Sequence, residues 1–160
     1  MKDSTQEVIE RYQKHLFAIA FNICKNQQDA EDVVQDTFIG YHTYKKEFDT
    51  EEHIRAWLIR VAINKAKNIT RSFWRRNKCN LEEYMETLTF ETPESENLFE
   101  TVMKLPEKYR IVLQLFYYED YTTQEISDIL HLSLSNVKTR LSRGRALLKE
   151  TLKEEWDDDE

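Results

Sequence analysis

The sequence predicts an all-α chain of two small helical domains joined by a flexible acidic linker, and three observations carry that expectation. Only two Gly and two Pro occur among 160 residues; sheet-rich folds draw on both for their tight turns. Apolar residues recur at steps of three and four along most of the chain, the spacing of one helical face. That periodicity lapses once, over residues 80–97, and the chain is long enough for two small domains.

The elements follow in order. Val8, Tyr12, Leu16, Ile19 and Ile23 mark a first helix. A polar break at residues 25–28 separates it from Ala30, Val33, Val34, Thr37, Phe38 and Tyr41, with Asp29 as the expected cap and Asp32 in the first turn. A third series, Ile54, Trp57, Leu58, Val61, Ala62, Ala66 and Ile69, follows Thr50, Glu51 and Glu52, whose charge suits a helix start. Trp57 lies on the apolar face and is assigned to the core. Three such helices with short breaks make a bundle, assigned to residues 1–79.

Residues 80–97, NLEEYMETLTFETPESEN, show no period and read as the linker. Helical spacing resumes at Leu98, Val102 and Leu105. Pro106 then opens a helix continued by Ile111, Val112, Leu115 and Phe116. After a polar turn, Thr122 and Glu125 form a capping box ahead of Ile126, Ile129 and Leu130. A last helix buries Val137, Leu141, Leu148 and Leu152 and closes a second domain, residues 98–153. Residues 154–160 are almost all acidic and read as a disordered tail.

Composition excludes several classes of function. There is no GxGxxG and no GxxxxGK[ST], so no glycine-rich phosphate loop. Cys24 and Cys79 form no CxxC pair, and the four His sit near neither in ligand spacing. No metal site and no cofactor are expected, and both cysteines read as free thiols in a reducing cytoplasm. The N-terminus lacks an apolar signal core, and the longest apolar stretch, residues 16–24, is far short of the ~20 residues that span a bilayer. No membrane insertion is expected. No nucleophile–base–acid set is visible, so the chain reads as a non-enzyme without a small-molecule substrate.

The net charge of −7 argues against a nucleic-acid partner until it is divided by segment. Residues 55–78 carry eight cations and no acid, and residues 133–149 carry five and no acid. The remainder of the chain is therefore at −20. Surface helix faces ordinarily interleave both signs. Two acid-free runs on separate domains suit a protein that grips a polyanion at two places.

Residues 122–149 read as helix, short turn, helix, with Ile126, Ile129, Leu132, Val137 and Leu141 spaced to lock a helix-turn-helix. The second helix offers Ser135, Asn136, Lys138, Thr139, Ser142 and Arg143, types that suit base edges and phosphates in a major groove. Arg140 and Arg145 read as phosphate contacts or as partners of nearby acids. His131 stands where such turns usually carry Gly, and must take up the left-handed backbone at modest cost.

Three blocks together resemble the extracytoplasmic-function, or group IV, sigma factors of bacterial RNA polymerase. DAEDVVQDTF at residues 29–38 resembles the family's core-polymerase-binding helix in its region-two domain. RAWLIRVAINKAKN at residues 55–68 resembles the segment that melts and reads the minus-ten element. LPEKYR at residues 105–110, with residues 121–148, resembles the region-four domain that reads the minus-thirty-five element.

The resemblance implies a promoter-specificity subunit that partners core RNA polymerase (its β′ and β subunits), promoter DNA and an anti-sigma factor, in the cytoplasm. It implies that Asp29, Asp32, Gln35, Asp36 and Phe38 face the β′ coiled coil, an acidic rim around one aromatic. The other reading makes Asp29 and Asp32 helix-start charges and Phe38 core. The resemblance assigns Asn64 and Asn68 to capture of an unstacked minus-ten base, since an amide both donates and accepts. Lys65, Lys67, Arg71, Arg75 and Arg76 would hold phosphates without sequence choice. In the second domain it points to Lys138, Thr139, Ser142 and Arg143. Phe73 and Trp74 either stack melted bases or cap the core. The linker either threads toward the polymerase active centre or is an inert tether. The competing reading of the whole chain is a helix-turn-helix regulator with an N-terminal sensory domain, acting without polymerase.

Overall fold

The computed structural model describes residues 3–73 and 90–158, with side chains described for residues 3–71 and 90–153. Among the described residues there are seven α-helices and no strand. The chain divides into two compact units, Met1–Cys79 and Asn80–Glu160.

In the first unit, α1 (Thr5–Cys24), α2 (Gln27–Thr43) and α3 (Glu51–Phe73) pack pairwise on one another. Their cores follow the apolar series of the sequence. Val8, Leu16 and Ile19 of α1, Ala30, Val33 and Tyr41 of α2, and Leu58, Ala62 and Ala66 of α3 are all but inaccessible to water. Burying aliphatic and aromatic side chains stabilises a fold by ~1.5–3 kcal/mol each. Helix α3 also buries Ile59 and Ile63, which lie outside its expected series, because both α1 and α2 pack against it.

Trp57 is half-buried rather than core. Its ring lies 4.9 Å from Tyr44, 5.7 Å from Phe48 and 6.3 Å from Tyr41, between centroids, so it closes an aromatic cluster at the α2–α3 corner. Asp29 does not cap α2. That cap is Asn26, whose side chain accepts the Asp29 N–H at 2.9 Å, because the helix begins at Gln27.

The second unit comprises α4 (Pro93–Met103), α5 (Glu107–Leu113), a π-helical turn (Gln114–Tyr118), α6 (Thr123–Leu130) and α7 (Leu134–Asp158). Helices α4, α5 and α6 each contact α7. Val102, Ile111, Val112, Leu115, Ile126, Val137 and Leu141 form its core. Gly144 permits the α5–α7 crossing: a Cβ there would lie 3.3 Å from Leu113 Cδ1 and 3.4 Å from Tyr109 Cβ. Leu148 and Leu152 are only half-buried.

Two boundaries differ from expectation. Helix α4 starts at Pro93, inside the segment read as linker and ahead of Leu98, because Thr92 accepts the Ser95 N–H at 3.1 Å, Pro93 opens the helix, and Glu94 and Glu96 fill its first turn. Helix α7 continues through Asp158, so the acidic tail is helical in backbone as far as that residue. Residues 80–89 lie outside the described residues.

Local side chains also start α1, α3, α6 and α7. Ser4, Thr50, Thr122 and Ser133 accept the N–H groups of Glu7, His53, Glu125 and Asn136 at 3.1–3.3 Å. Each satisfies a donor that a helix start leaves without a partner. The expected capping box at Thr122 is complete, with Glu125 accepting the Thr122 N–H at 3.0 Å. Helices α1 and α6 end on left-handed residues, Lys25 (φ 53°) and His131 (φ 56°), and Asp120 (φ 58°) turns the chain before α6. No described glycine has positive φ. The chain thus makes its reversals without glycine, at a cost of ~1 kcal/mol per residue.

Candidate nucleic-acid interface and docking face

Helix α3 turns its apolar face inward at Ile54, Leu58, Ala62 and Ala66. Its other face therefore carries the cations. Asn64 and Asn68 are exposed and four residues apart, on one side of the helix. Arg71 is exposed, and Lys65 and Lys67 are half-buried. Arg75, Arg76 and Trp74, like the Phe73 side chain, lie outside the described residues.

On α2, Asp32, Gln35 and Asp36 are exposed and Asp29 is half-buried. Phe38 is not on this face. It is 6% exposed and packs in the core, as its place in the series Ala30, Val33, Val34, Thr37, Phe38, Tyr41 requires. The apolar member of the face is Ile39, 55% exposed and one helical turn beyond Gln35 and Asp36. Sequence reasoning missed Ile39, although it was the one large apolar residue of α2 outside the buried series.

In the second unit, α6 and α7 form the helix-turn-helix. The turn is tied twice to Ser127: its carbonyl accepts the Leu132 N–H at 3.1 Å, and its hydroxyl donates to the Leu132 carbonyl. Ser135, Lys138, Thr139, Ser142 and Arg143 are exposed along α7. Asn136 and Arg140 are half-buried and bonded to each other, Arg140 Nε donating to Asn136 Oδ1 at 3.1 Å.

Arg145 is engaged within the unit. Its Nε donates to the Tyr117 hydroxyl, and its guanidinium carbon lies 5.2 Å from the Phe116 ring centroid and 5.5 Å from that of Tyr117. Neither Arg140 nor Arg145 pairs with an acid among the described residues. Also among the described residues, no cluster of His, Cys, Asp and Glu could hold a metal ion, and no helix is long and apolar enough to cross a membrane.

Two acid-free basic runs, one within α3 beside paired amides and the other in α7 of a helix-turn-helix, are the pattern of a DNA-binding protein. Residues 8–78 match the family described as Sigma-70 region 2, and residues 95–148 match Sigma-70, region 4. The chain belongs to the sigma-70 family, as a sigma factor of the extracytoplasmic-function kind.

Among its relatives, the ECF RNA polymerase sigma factor SigW of Bacillus subtilis is 27% identical, over 96% of this chain and 91% of SigW. The ECF RNA polymerase sigma-E factor of Haemophilus influenzae is 28% identical, over 89% and 84%. Among solved structures, the sigma factor RpoE in complex with the anti-sigma factor NepR from Bartonella quintana shares the fold, with a TM-score of 0.72 over 92% of this chain and 96% of that one, at 20% identity. CnrH in complex with the cytosolic domain of CnrY gives 0.68 over 93% and 87%, at 28% identity.

Proposed function

We propose that this chain is a group IV promoter-specificity subunit of bacterial RNA polymerase. It binds core polymerase, recognises the minus-ten and minus-thirty-five elements, and directs initiation in the cytoplasm without catalysis of its own. The observation that carries the reading is the succession of sigma-70 region 2 and region 4 along one chain, each with its own acid-free basic run.

Roles follow by surface. The exposed face of α2 docks to the β′ subunit, with Ile39 as apolar centre and Asp29, Asp32, Gln35 and Asp36 around it. A small apolar anchor ringed by charge suits a basic partner surface. Asn64 and Asn68 take a flipped minus-ten base, with Lys65, Lys67, Arg71, Arg75 and Arg76 on phosphates. Lys138, Thr139, Ser142, Arg143 and Ser135 meet the minus-thirty-five element. An anti-sigma factor masks the docking faces, a role supported by the RpoE–NepR complex.

The deciding experiment is run-off transcription by purified core polymerase on genomic promoter fragments, with and without the chain. New start sites that depend on the chain are expected. If no promoter gains initiation while the chain alone protects a DNA site, the regulator reading replaces this one.

A further inference from the structure

We infer that Asn136 acts on promoter DNA through Arg140: it is a positioning residue that aims a guanidinium, and does not itself read a base. The inference rests on α7 being the minus-thirty-five helix.

Asn136 and Arg140 are one turn apart on α7, and the Arg140 Nε donates to the Asn136 Oδ1 at 3.1 Å. Both are half-buried, while Ser135, Lys138, Thr139, Ser142 and Arg143 around them are exposed. The Asn136 backbone is itself fixed, its N–H donating to the Ser133 Oγ at 3.1 Å. Nε is the guanidinium donor nearest the main chain. Bonding it fixes the plane of the group and leaves the terminal Nη pair as a rigid fork.

That fork fits two acceptors side by side, such as guanine O6 and N7 or two oxygens of one phosphate. No carboxylate among the described residues occupies it. A free asparagine reads adenine with its own amide oxygen and nitrogen together. Here one of the two lone pairs of the oxygen is taken by Arg140, so the orientation of the amide is set by that bond rather than by a base.

The test uses the complete chain with core polymerase on promoters randomised across the minus-thirty-five element. Asn136→Ala is expected to lower transcription about fivefold, the span of one hydrogen bond. Arg140→Ala lowers it further, and the double variant is no worse than Arg140→Ala alone. Loss confined to templates with guanine at one position places the fork on a base edge. Uniform loss with a shallower salt dependence places it on phosphate. Asn136→Asp, which keeps the acceptor, retains the wild-type base preference. Additive losses in the double variant, or a switch to cytosine in Asn136→Asp, overturn the inference. If Arg140→Ala is silent while Arg143→Ala is not, the inference fails and the reading of α7 stands. If no α7 variant alters minus-thirty-five dependence, that reading fails as well.

Discussion

Arg145 lies across Phe116, its guanidinium carbon 5.2 Å from the ring centroid, and so fastens α7 to the π-helical turn. A cation over an aromatic face contributes ~0.5–2 kcal/mol, and the arginine stem adds packing. Arg145→Ala is therefore expected to lower the melting temperature of the second unit and leave the salt slope of promoter binding unchanged. Arg143→Ala, from an exposed side chain, is expected to leave melting unchanged and reduce that slope by about 1. Thermal denaturation and a salt titration of the polymerase–promoter complex separate the two.

Phe38 and Ile39 are neighbours with opposite fates. Phe38→Ala empties a core position and should cost ~3–5 kcal/mol of stability. Ile39→Glu removes an exposed apolar group and should change stability by ~0.5 kcal/mol or less. It is nonetheless expected to abolish capture by immobilised core polymerase, because it places a charge at the centre of the docking face. Retained capture would remove Ile39 from that face.

Asn64 and Arg71 are both exposed on α3 but differ in chemistry. Asn64→Ala should alter which minus-ten base is preferred, since an amide reads a base edge. Arg71→Ala should weaken all promoters alike and flatten the salt dependence. Transcription from promoters varied through the minus-ten element checks both, and equal losses on every promoter from Asn64→Ala would remove its base-reading role.

His131 holds a left-handed backbone at the turn of the helix-turn-helix. His131→Gly relieves that strain and should stabilise the second unit by ~1 kcal/mol, read as a rise of ~4–8 °C in melting temperature.

Tyr12 and Tyr41 are buried in the first unit. Burial is the main cause that pushes both hydroxyls above the ordinary tyrosine value, and for Tyr12 the bond to Glu51 at 3.0 Å adds to it. The unfolded chain loses these protons first. Their stabilisation is therefore complete below about pH 10 and falls as pH rises through the folded values. Chemical denaturation from about pH 8 to 11 should show that decline, and Tyr12→Phe should make it shallower.

The helical architecture was legible because the apolar period of α1 and α2 survives intact in their buried faces. The charge runs likewise picked out Arg71 of α3 and Lys138 and Arg143 of α7, which are exposed, while Lys65 and Lys67 are half-buried. Other features were hidden for physical reasons. Period alone makes Trp57 core, but its ring closes a corner that water still reaches. The start of α4 at Pro93 is set by a cap and a proline rather than by apolar spacing. The engagement of Arg145 depends on Phe116 and Tyr117, twenty-eight and more residues earlier in the chain. The inward turn of Phe38 was legible in its own series and conflicted with the role the family resemblance gave it.

Helix α7 has one further consequence. Its 25 residues span about 37 Å at the helical rise. Cations without acids occupy it to Lys149, and Glu150, Glu154, Glu155, Asp157 and Asp158 crowd its far end against the single Lys153. The rod is an electrical gradient, attractive to phosphate at its entry and repulsive at its exit. Glu150 directly follows Lys149 and offsets it, whereas Lys138, Arg140 and Arg143 lie more than one screening length of ~8 Å before the first of these acids. The attraction of this helix for phosphate is therefore weighted to its first half, where Lys138, Arg140 and Arg143 precede every acid.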